Sequence, residues 1–109
     1  MKIEKTLKIN FANVKNFDDF YDVMSELFGL PDFFGRNGHA LVDCLLYLRE
    51  PEAGMSRIHI KNNEYLLLKL INFSSLNKEL KEHFISIFEY LSLKCNEIGE
   101  EVPIVLSLN

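Results

Sequence analysis

His39 and Asp43 are the two side chains whose types and spacing come closest to a catalytic arrangement. They lie four residues apart in the segment LPDFFGRNGHALVDCLLYL, residues 30–48. On a helix this spacing lets the carboxylate orient the imidazole as a general base. A general base needs a nucleophile, and the neighbouring thiol of Cys44 falls on the apolar stripe of the same helix. Such pairs are also common on ordinary helices, so we expect no catalytic residues and no enzyme.

Metal and phosphate sites have no matching pattern in the sequence. A metal site would need His39, Asp43 and either His59 or His83 to converge from separate elements, and no HxxxH, CxxC or DxDxDG spacing occurs. The stretch GRNG at residues 35–38 has too few glycines for a phosphate loop and lacks its Lys and Ser/Thr. We expect neither a metal ion nor a cofactor.

Two adjacent aromatic residues, Phe33 and Phe34, precede Gly35 in the same segment. Both rings cannot easily point into the core from so short a loop. Either both close over the edge of the sheet as a lid, or one is exposed as an aromatic anchor beside a charged helix face, as in interface hot spots. The residue types alone leave both interpretations open.

Three helices are predicted to position these residues, because apolar side chains recur at helical spacing in three stretches. Asn and Ser stand where they can cap the first turns, and glycines stand where two of the helices stop. The first helix follows Asn16 and stops at Gly29, the second follows Asn37 and runs to about Leu48, and the last opens at Ser74 or Ser75 and ends near Gly99, with a possible break near His83.

The second helix has two different faces. One stripe is apolar and is predicted to face inward: Ala40, Leu41, Cys44, Leu45 and Leu48. The adjacent stripe is predicted to lie at the surface: His39, Val42, Asp43 and Leu46.

The remaining stretches predict strands. Apolar residues alternate over residues 1–11, and the run YLLLKLI at residues 65–71 is typical of a strand covered on both faces, although a buried helical turn is an alternative. Residues 57–60 could form a further short strand, and VPIVLSL closes the chain with Pro103 at a strand start or edge. The order strand, helix, helix, strand, helix, strand favours a small α/β layer with a mainly parallel sheet and right-handed crossovers.

Composition limits the class of protein. A length of 109 residues with 48% apolar residues suits one domain, residues 1–109. Twelve Lys and Arg against sixteen Asp and Glu give a net charge of −4, which argues against direct nucleic-acid binding and favours a cationic partner. No apolar run is long enough for a membrane span or a secretion signal, so we expect a cytoplasmic protein. Cys44 and Cys95 both lie in apolar patterns and are expected to be free thiols.

The segment LPDFFGRNGHALVDCL resembles the signature of the barstar family, the intracellular inhibitors of bacterial ribonucleases of the barnase type. The matching parts are Leu30-Pro31, Asp32, Phe33-Phe34, Gly35, Asn37, Ala40-Leu41 and Asp43-Cys44-Leu45, without a gap. The order of elements, Glu64-Tyr65 before the long apolar strand and the closing IVLS at residues 104–107 are also similar to the family, so the resemblance covers most of the chain.

The resemblance implies a barstar-like fold, with a small three-stranded parallel sheet packed with helices, and no catalysis. It implies that the second helix and its preceding loop block the active site of a ribonuclease. Asp43 matches the family acid that lies among the nuclease's Arg and His side chains and mimics the substrate's phosphate. A carboxylate among guanidinium groups is held strongly, and its truncation leaves an uncompensated positive pocket.

Several positions depart from the family pattern. His39 stands where the prototype has an acid that meets the nuclease's catalytic residues, and Gly38 replaces a leucine. Phe33 keeps the ring of a contacting tyrosine, Val42 replaces a tryptophan, and Arg36 reverses an acidic position. The partner is therefore expected to differ from barnase itself. For the acid that the last helix contributes, Glu89 and Tyr90 are the nearest matches, and residues 49–63 look like an insertion that could add an edge strand near residues 56–61.

The sequence thus supports two hypotheses. The first is an immunity-type or antitoxin inhibitor that binds a cognate basic ribonuclease or related toxin as a monomer in a 1:1 complex. The second is a barstar-like interaction or regulatory module that has lost nuclease inhibition. The predicted contact residues are Phe33, Phe34, Gly35, Arg36, Asn37, Gly38, His39, Val42, Asp43 and Glu89.

Overall fold

Three parallel strands form one sheet in a computed structural model of the chain, which describes residues 1–109. The spatial order of the strands is β1-β2-β3, and three α-helices pack with the sheet. The prediction of a barstar-like α/β fold with a three-stranded parallel sheet is confirmed. The elements are β1 (Lys2–Asn10), α1 (Phe17–Phe28), α2 (Gly38–Leu46), β2 (Glu64–Ile71), α3 (Lys78–Glu97) and β3 (Ile104–Leu108), with short 3-10 turns at Pro51–Ala53 and Phe73–Ser75.

The central strand β2 is the most deeply buried, because it pairs with β1 on one side and β3 on the other. Its residues Leu66, Leu68 and Leu70 are at most 2% exposed. These three residues share one face of the strand, whereas Leu67, Lys69 and Ile71 of the other face are only half-buried. The prediction that this strand is covered on both faces is therefore wrong. Pro103 stands just before β3, where a missing N–H disturbs no ladder bond.

The predicted edge strand at residues 57–60 is wrong, and no fourth strand joins the sheet near residues 56–61. The backbone groups of this segment bond to the ends of helices instead. Arg57 N–H donates to the carbonyl of Phe28, and Ile60 N–H donates to the carbonyl of Leu48, both at 3.0 Å. The close passage of Arg57 over Gly29, whose φ is +61°, leaves no room for a side chain there. The segment therefore connects α1 and the end of the α2 region.

Each α-helix begins after an asparagine whose side-chain oxygen accepts a backbone N–H of the first turn. The predicted caps Asn16 and Asn37 are confirmed. The last helix starts later than Ser74 or Ser75, because Asn77 is its cap, with Oδ1 at 2.9 Å from Leu80 N. That helix is continuous from Lys78 to Glu97, so the suggested break near His83 does not occur.

The core is one cluster of 22 buried residues, with Phe84 of α3 near its centre. The Phe84 ring lies 4.8–6.3 Å from four other phenylalanine rings, those of Phe11, Phe20, Phe73 and Phe88. Cys44 and Cys95 are free thiols, and burial raises the pKa of both. None of the helices combines the length and the apolar character that a membrane crossing needs.

Candidate functional site

The loop before α2 separates the two adjacent aromatic residues. A turn, in which Phe34 N–H donates to the carbonyl of Pro31 at 2.9 Å, holds the loop. Phe33 is 74% exposed, whereas Phe34 is half-buried with its ring 5.8 Å from that of Tyr21. One ring therefore supports the loop and the other projects to solvent. This arrangement fits the anchor interpretation and not the lid.

Arg36 fastens the same loop to α1. Its Nη2 donates to Asp22 Oδ1 and to the carbonyl of Asp18, each at 3.0 Å. Its backbone lies in the left-handed region at φ +52°, a conformation that costs free energy in a residue other than glycine. Because the guanidinium bonds to Asp22, its charge is largely matched within the protein. Arg36 thus positions the loop more than it offers a free cation.

Asp43 lies at the exposed face of α2 and forms no ion pair or side-chain hydrogen bond. The pKa of the adjacent Cys44 thiol is raised mainly by burial and, to a smaller extent, by the negative charge of Asp43. His39 is also exposed, and its ring packs edge-to-face on Tyr90 of α3 with centroids 4.8 Å apart. The carboxylate is therefore free to meet a partner, while the imidazole rests against α3.

Val42 does not lie at the surface, contrary to the prediction for its stripe of α2. The side chain is fully buried, and Leu46 of the same stripe is half-buried. The reason is that α3 packs along α2 and covers the part of this stripe between His39 and Leu46. The prediction that Val42 lies at the surface of α2 is therefore wrong.

A groove of about 360 Å³ runs between α2 and α3 beside His39, and we call it the α2–α3 groove. A Cβ added to Gly38 would lie at ordinary contact distance, 3.6 Å, from His83 Cε1 and from Ile87 Cγ1. The absence of a side chain at Gly38 therefore leaves this groove open. Its lining residues are Gly38, His39, Val42, His83, Ser86, Ile87 and Tyr90.

His83 links the groove to α1. Its Nε2 lies 2.6 Å from the hydroxyl oxygen of Tyr21, and the rings of Phe17 and Phe20 pack edge-to-face against it. Burial lowers the pKa of His83 below its ordinary value and raises the pKa of Tyr21 to about 12. A neutral imidazole whose Nε2 accepts a hydrogen bond from the Tyr21 hydroxyl is consistent with the lowered pKa of His83 and the raised pKa of Tyr21.

Glu89 is not brought to this site. It is exposed on α3 and lines grooves beside β3, whereas its neighbour Tyr90 contacts His39. Of the two nearest matches for the family's last-helix contact, Tyr90 is the residue at the site. His83 and Ile87 also line the site, although neither was predicted as a site residue. Their spacing with Tyr90, at intervals of four and three, is the helical signal that could have identified this stripe.

Neither an exposed thiol nor a cluster of metal-ligating side chains accompanies His39 and Asp43. Cys44 is buried behind the helix, so no thiol stands beside His39 and Asp43. No group of three or more His, Cys, Asp or Glu side chains is arranged to hold a metal ion. The side chains at the start of α2 and beside it on α3 form one surface, which we call the contact face: Phe33, Gly35, Asn37, Gly38, His39, Asp43 and Tyr90, held by Phe34 and Arg36.

Comparison with known proteins gives one clear match. The model of a protein family described as Barstar (barnase inhibitor) matches residues 4–108, which is essentially the whole chain. No curated protein matches the chain.

Proposed function

The chain belongs to the barstar family, and from that premise we propose that it binds a cognate ribonuclease or related bacterial toxin and blocks its active site with the contact face. Members of the family are inhibitors, so the chain is a barnase-inhibitor-like protein. We further propose which of its side chains bind the partner and which group of the RNA substrate they replace there.

The observation that carries the proposal is the free carboxylate of Asp43. It is exposed, with no ion pair or side-chain hydrogen bond inside the protein. A carboxylate without an internal partner gives up no intramolecular bond when it enters a pocket of Arg and His side chains. There it takes the place of an RNA phosphate, and charge-assisted hydrogen bonds in a desolvated site hold it strongly.

The side chains around Asp43 are of the kinds found in protein–protein interfaces. Phe33 is 74% exposed and supplies a large aromatic side chain beside the charge, as in binding hot spots. The Arg36–Asp22 bond and the packing of Phe34 on Tyr21 hold the loop in place before binding. Less conformational entropy is then lost on association, which strengthens the complex.

The α2–α3 groove suggests how the partner differs from barnase. Gly38 leaves this groove open directly beside the contact face, and its lining includes Val42, Ile87 and Tyr90. We propose that it receives an apolar side chain of the partner, and that the fully buried Val42 supports the floor of this groove. His39, packed on Tyr90, forms one wall in place of the family's acid.

The setting of the interaction follows from the same family. We propose that the protein acts in the bacterial cytoplasm as an immunity protein, as a monomer in a 1:1 complex. Two buried free thiols suit a reducing compartment. The net charge of −4 suits a basic partner.

The proposal is tested by capturing partners from the native cell lysate with three purified proteins: wild type, Asp43→Asn and Glu26→Gln. Glu26 is an exposed acid on α1 that is not among the residues of the contact face, so its change removes the same charge from a different helix. We expect a small basic nuclease, identified by mass spectrometry, to bind wild type and Glu26→Gln. Its affinity for Asp43→Asn should fall by about 100-fold, since breaking a buried charge pair costs about 2–5 kcal/mol.

A partner that binds Asp43→Asn as tightly as wild type would contradict the assignment of the contact face. The captured complex should also fail to degrade RNA. If the nuclease is captured but remains active, the second hypothesis, a barstar-like interaction module without inhibition, is the better one. That hypothesis is favoured by His39, which stands in place of an acid and packs on Tyr90.

A further inference from the structure

β3 has a free edge, because it pairs only with β2 and no strand covers its other side. The carbonyl of Pro103 and the N–H of Asn109 bond to β2 at 2.9 and 3.0 Å. Along a parallel strand, alternate residues direct both backbone groups to the same side, so the odd-numbered positions face β2. The even-numbered positions direct their N–H and C=O groups away from the sheet, and they are Ile104, Leu106 and Leu108.

A groove between α3 and β3, the edge groove, lies beside this free edge. Its apolar end has a volume of about 530 Å³ and is lined mainly by Leu70, Phe73, Ile85, Phe88, Leu106 and Leu108. Ten large apolar side chains are exposed on the whole protein, and four of them line the edge groove: Ile85, Leu93, Leu106 and Leu108. Exposed apolar surface is therefore concentrated here, as it is at binding sites.

The other end of the edge groove is acidic. It has a volume of about 680 Å³, shares Glu89 and Ser92 with the apolar end, and includes Glu100 and Glu101 in its lining. Neither end is lined by any Lys or Arg. The groove thus combines apolar surface, three glutamates that form no ion pair and a row of unpaired backbone groups. Glu100 and Glu101 also border a separate cleft that contains Lys2 and Arg49. It shares no lining residue with the α2–α3 groove.

We propose that the edge groove binds an extended segment of a partner protein as a fourth strand beside β3, with apolar side chains toward Leu106 and Leu108 and with Lys or Arg toward Glu100 and Glu101. Strand addition satisfies the outward backbone groups of Leu106 and Leu108. Because the side chains of a strand point alternately to the two faces of the sheet, every second residue of the segment faces the groove. Of these residues, the apolar ones lie beside Phe88 and the basic ones meet Glu89, Glu100 and Glu101. A second copy of this chain is a poorer occupant, because pairing two β3 edges brings together two grooves that each carry three glutamates and no cation.

The test is an NMR titration of the isotope-labelled full chain with a ten-residue peptide whose alternate positions are Val in one half and Lys in the other, with Thr between them. A control peptide carries Glu in place of each Lys. We expect the Lys peptide to shift resonances of α3 and β3, and the Glu peptide to shift none. Amide exchange supplies an internal control within β3. At about nine-tenths saturation, exchange at Leu106 and Leu108 should slow by about tenfold, while Val105 and Ser107, already bonded to β2, should change little.

Two variants with equal loss of charge test the acidic end. Replacing Glu89, Glu100 and Glu101 by Gln should weaken peptide binding by about tenfold, since each exposed ion pair contributes modestly. Replacing Glu26, Glu50 and Glu52 by Gln, all exposed and outside the groove, should leave affinity within about twofold. Equal binding of both peptides, unchanged exchange at Leu106, equal weakening in both variants, or a dimer through β3 in sedimentation would each overturn the proposal.

Discussion

His83 is the side chain through which α1, α3 and the α2–α3 groove meet. Its Nε2 lies 2.6 Å from the hydroxyl oxygen of Tyr21, Phe17 and Phe20 cover its ring, and a Cβ on Gly38 would touch its Cε1. A protonated imidazole would have to carry its charge within this aromatic packing, which burial disfavours. A single titratable side chain therefore couples the core to the surface beside the contact face.

The stability of the protein should consequently depend on the protonation of His83. Burial lowers its folded-state pKa below the unfolded value of about 6.5, so the unfolded chain binds the proton more readily. The full contribution to stability is present above about pH 6.5 and is lost as the pH falls through the lower, folded-state pKa. Urea unfolding between pH 7.5 and 5 should show this decline for wild type and a smaller one for His83→Gln. His39→Gln, changed at an exposed histidine, is the control, and an equal decline in all three proteins would contradict the role of His83.

Gly38 is the residue that decides whether the α2–α3 groove is open. Gly38→Leu should fold, because the new Cβ lies at ordinary contact distance from its neighbours, and it should fill the groove. We expect the free energy of unfolding to be unchanged or to rise by up to about 1 kcal/mol, because glycine is less favourable than leucine in a helix. Affinity for the cognate partner should fall at the same time. Gly38→Ala, which adds only the Cβ, is the matched control, and tighter partner binding by Gly38→Leu would contradict the groove's proposed role.

At the scale of elements, the start of α3 provides the clearest measurement. Asn77 Oδ1 accepts from Leu80 N at 2.9 Å, whereas Ser74 forms no side-chain hydrogen bond. Asn77→Ala should destabilise the protein by about 1 kcal/mol, as is typical for loss of an N-cap. Ser74→Ala should change the free energy of unfolding by less than about 0.5 kcal/mol. Chemical denaturation followed by circular dichroism compares the two, and a larger effect at Ser74 would place the cap where the sequence pattern first suggested.

The predicted start of α3 at Ser74 or Ser75 was wrong because residue types alone do not identify its N-cap. Asn16 and Asn37 each stand directly before a helical repeat, so their capping was predictable. Before α3, Ser74, Ser75 and Asn77 are all competent caps by residue type. The choice depends on a 3-10 turn at residues 73–75, where the Ser75 hydroxyl donates to the carbonyl of Asn72 at 2.6 Å. Tertiary context, and not residue type, therefore makes Asn77 the N-cap of α3.

Two further errors have similar causes. Residues 57–60, RIHI, alternate as a strand does, yet their N–H groups at Arg57 and Ile60 bond to carbonyls at helix ends, so the chain cannot also pair with the sheet. Val42 was placed at the surface because its stripe of α2 contains His39 and Asp43, and only the packing of α3 along α2 buries it. In contrast, the parallel sheet and the loop-helix segment followed from local patterns and from the family resemblance.

At the scale of the whole molecule, one aromatic cluster stabilises all the layers. Phe84 packs edge-to-face on Phe11 after β1, on Phe20 of α1 and on Phe73 after β2. Phe84→Ala should cost about 3–5 kcal/mol, a large fraction of the roughly 5–15 kcal/mol that stabilise a typical domain. Ile85→Ala, at the exposed neighbouring position, should cost far less, and thermal or urea unfolding measures both. A small effect at Phe84 would mean that the core rearranges around the missing ring.

The strand order has a consequence for how the chain acquires its structure. β1 forms its ladder only with β2, whose first residue, Glu64, lies 62 positions after Lys2, and β3 completes the other side of β2 at the end of the chain. During synthesis, no strand of the sheet can find a neighbour until more than half of the chain has emerged. Contacts this distant in sequence slow the search for the native state, because the intervening loops must be closed first. The helices can form locally before β2 is available, so we expect the pairing of β2 with β1 to follow helix formation.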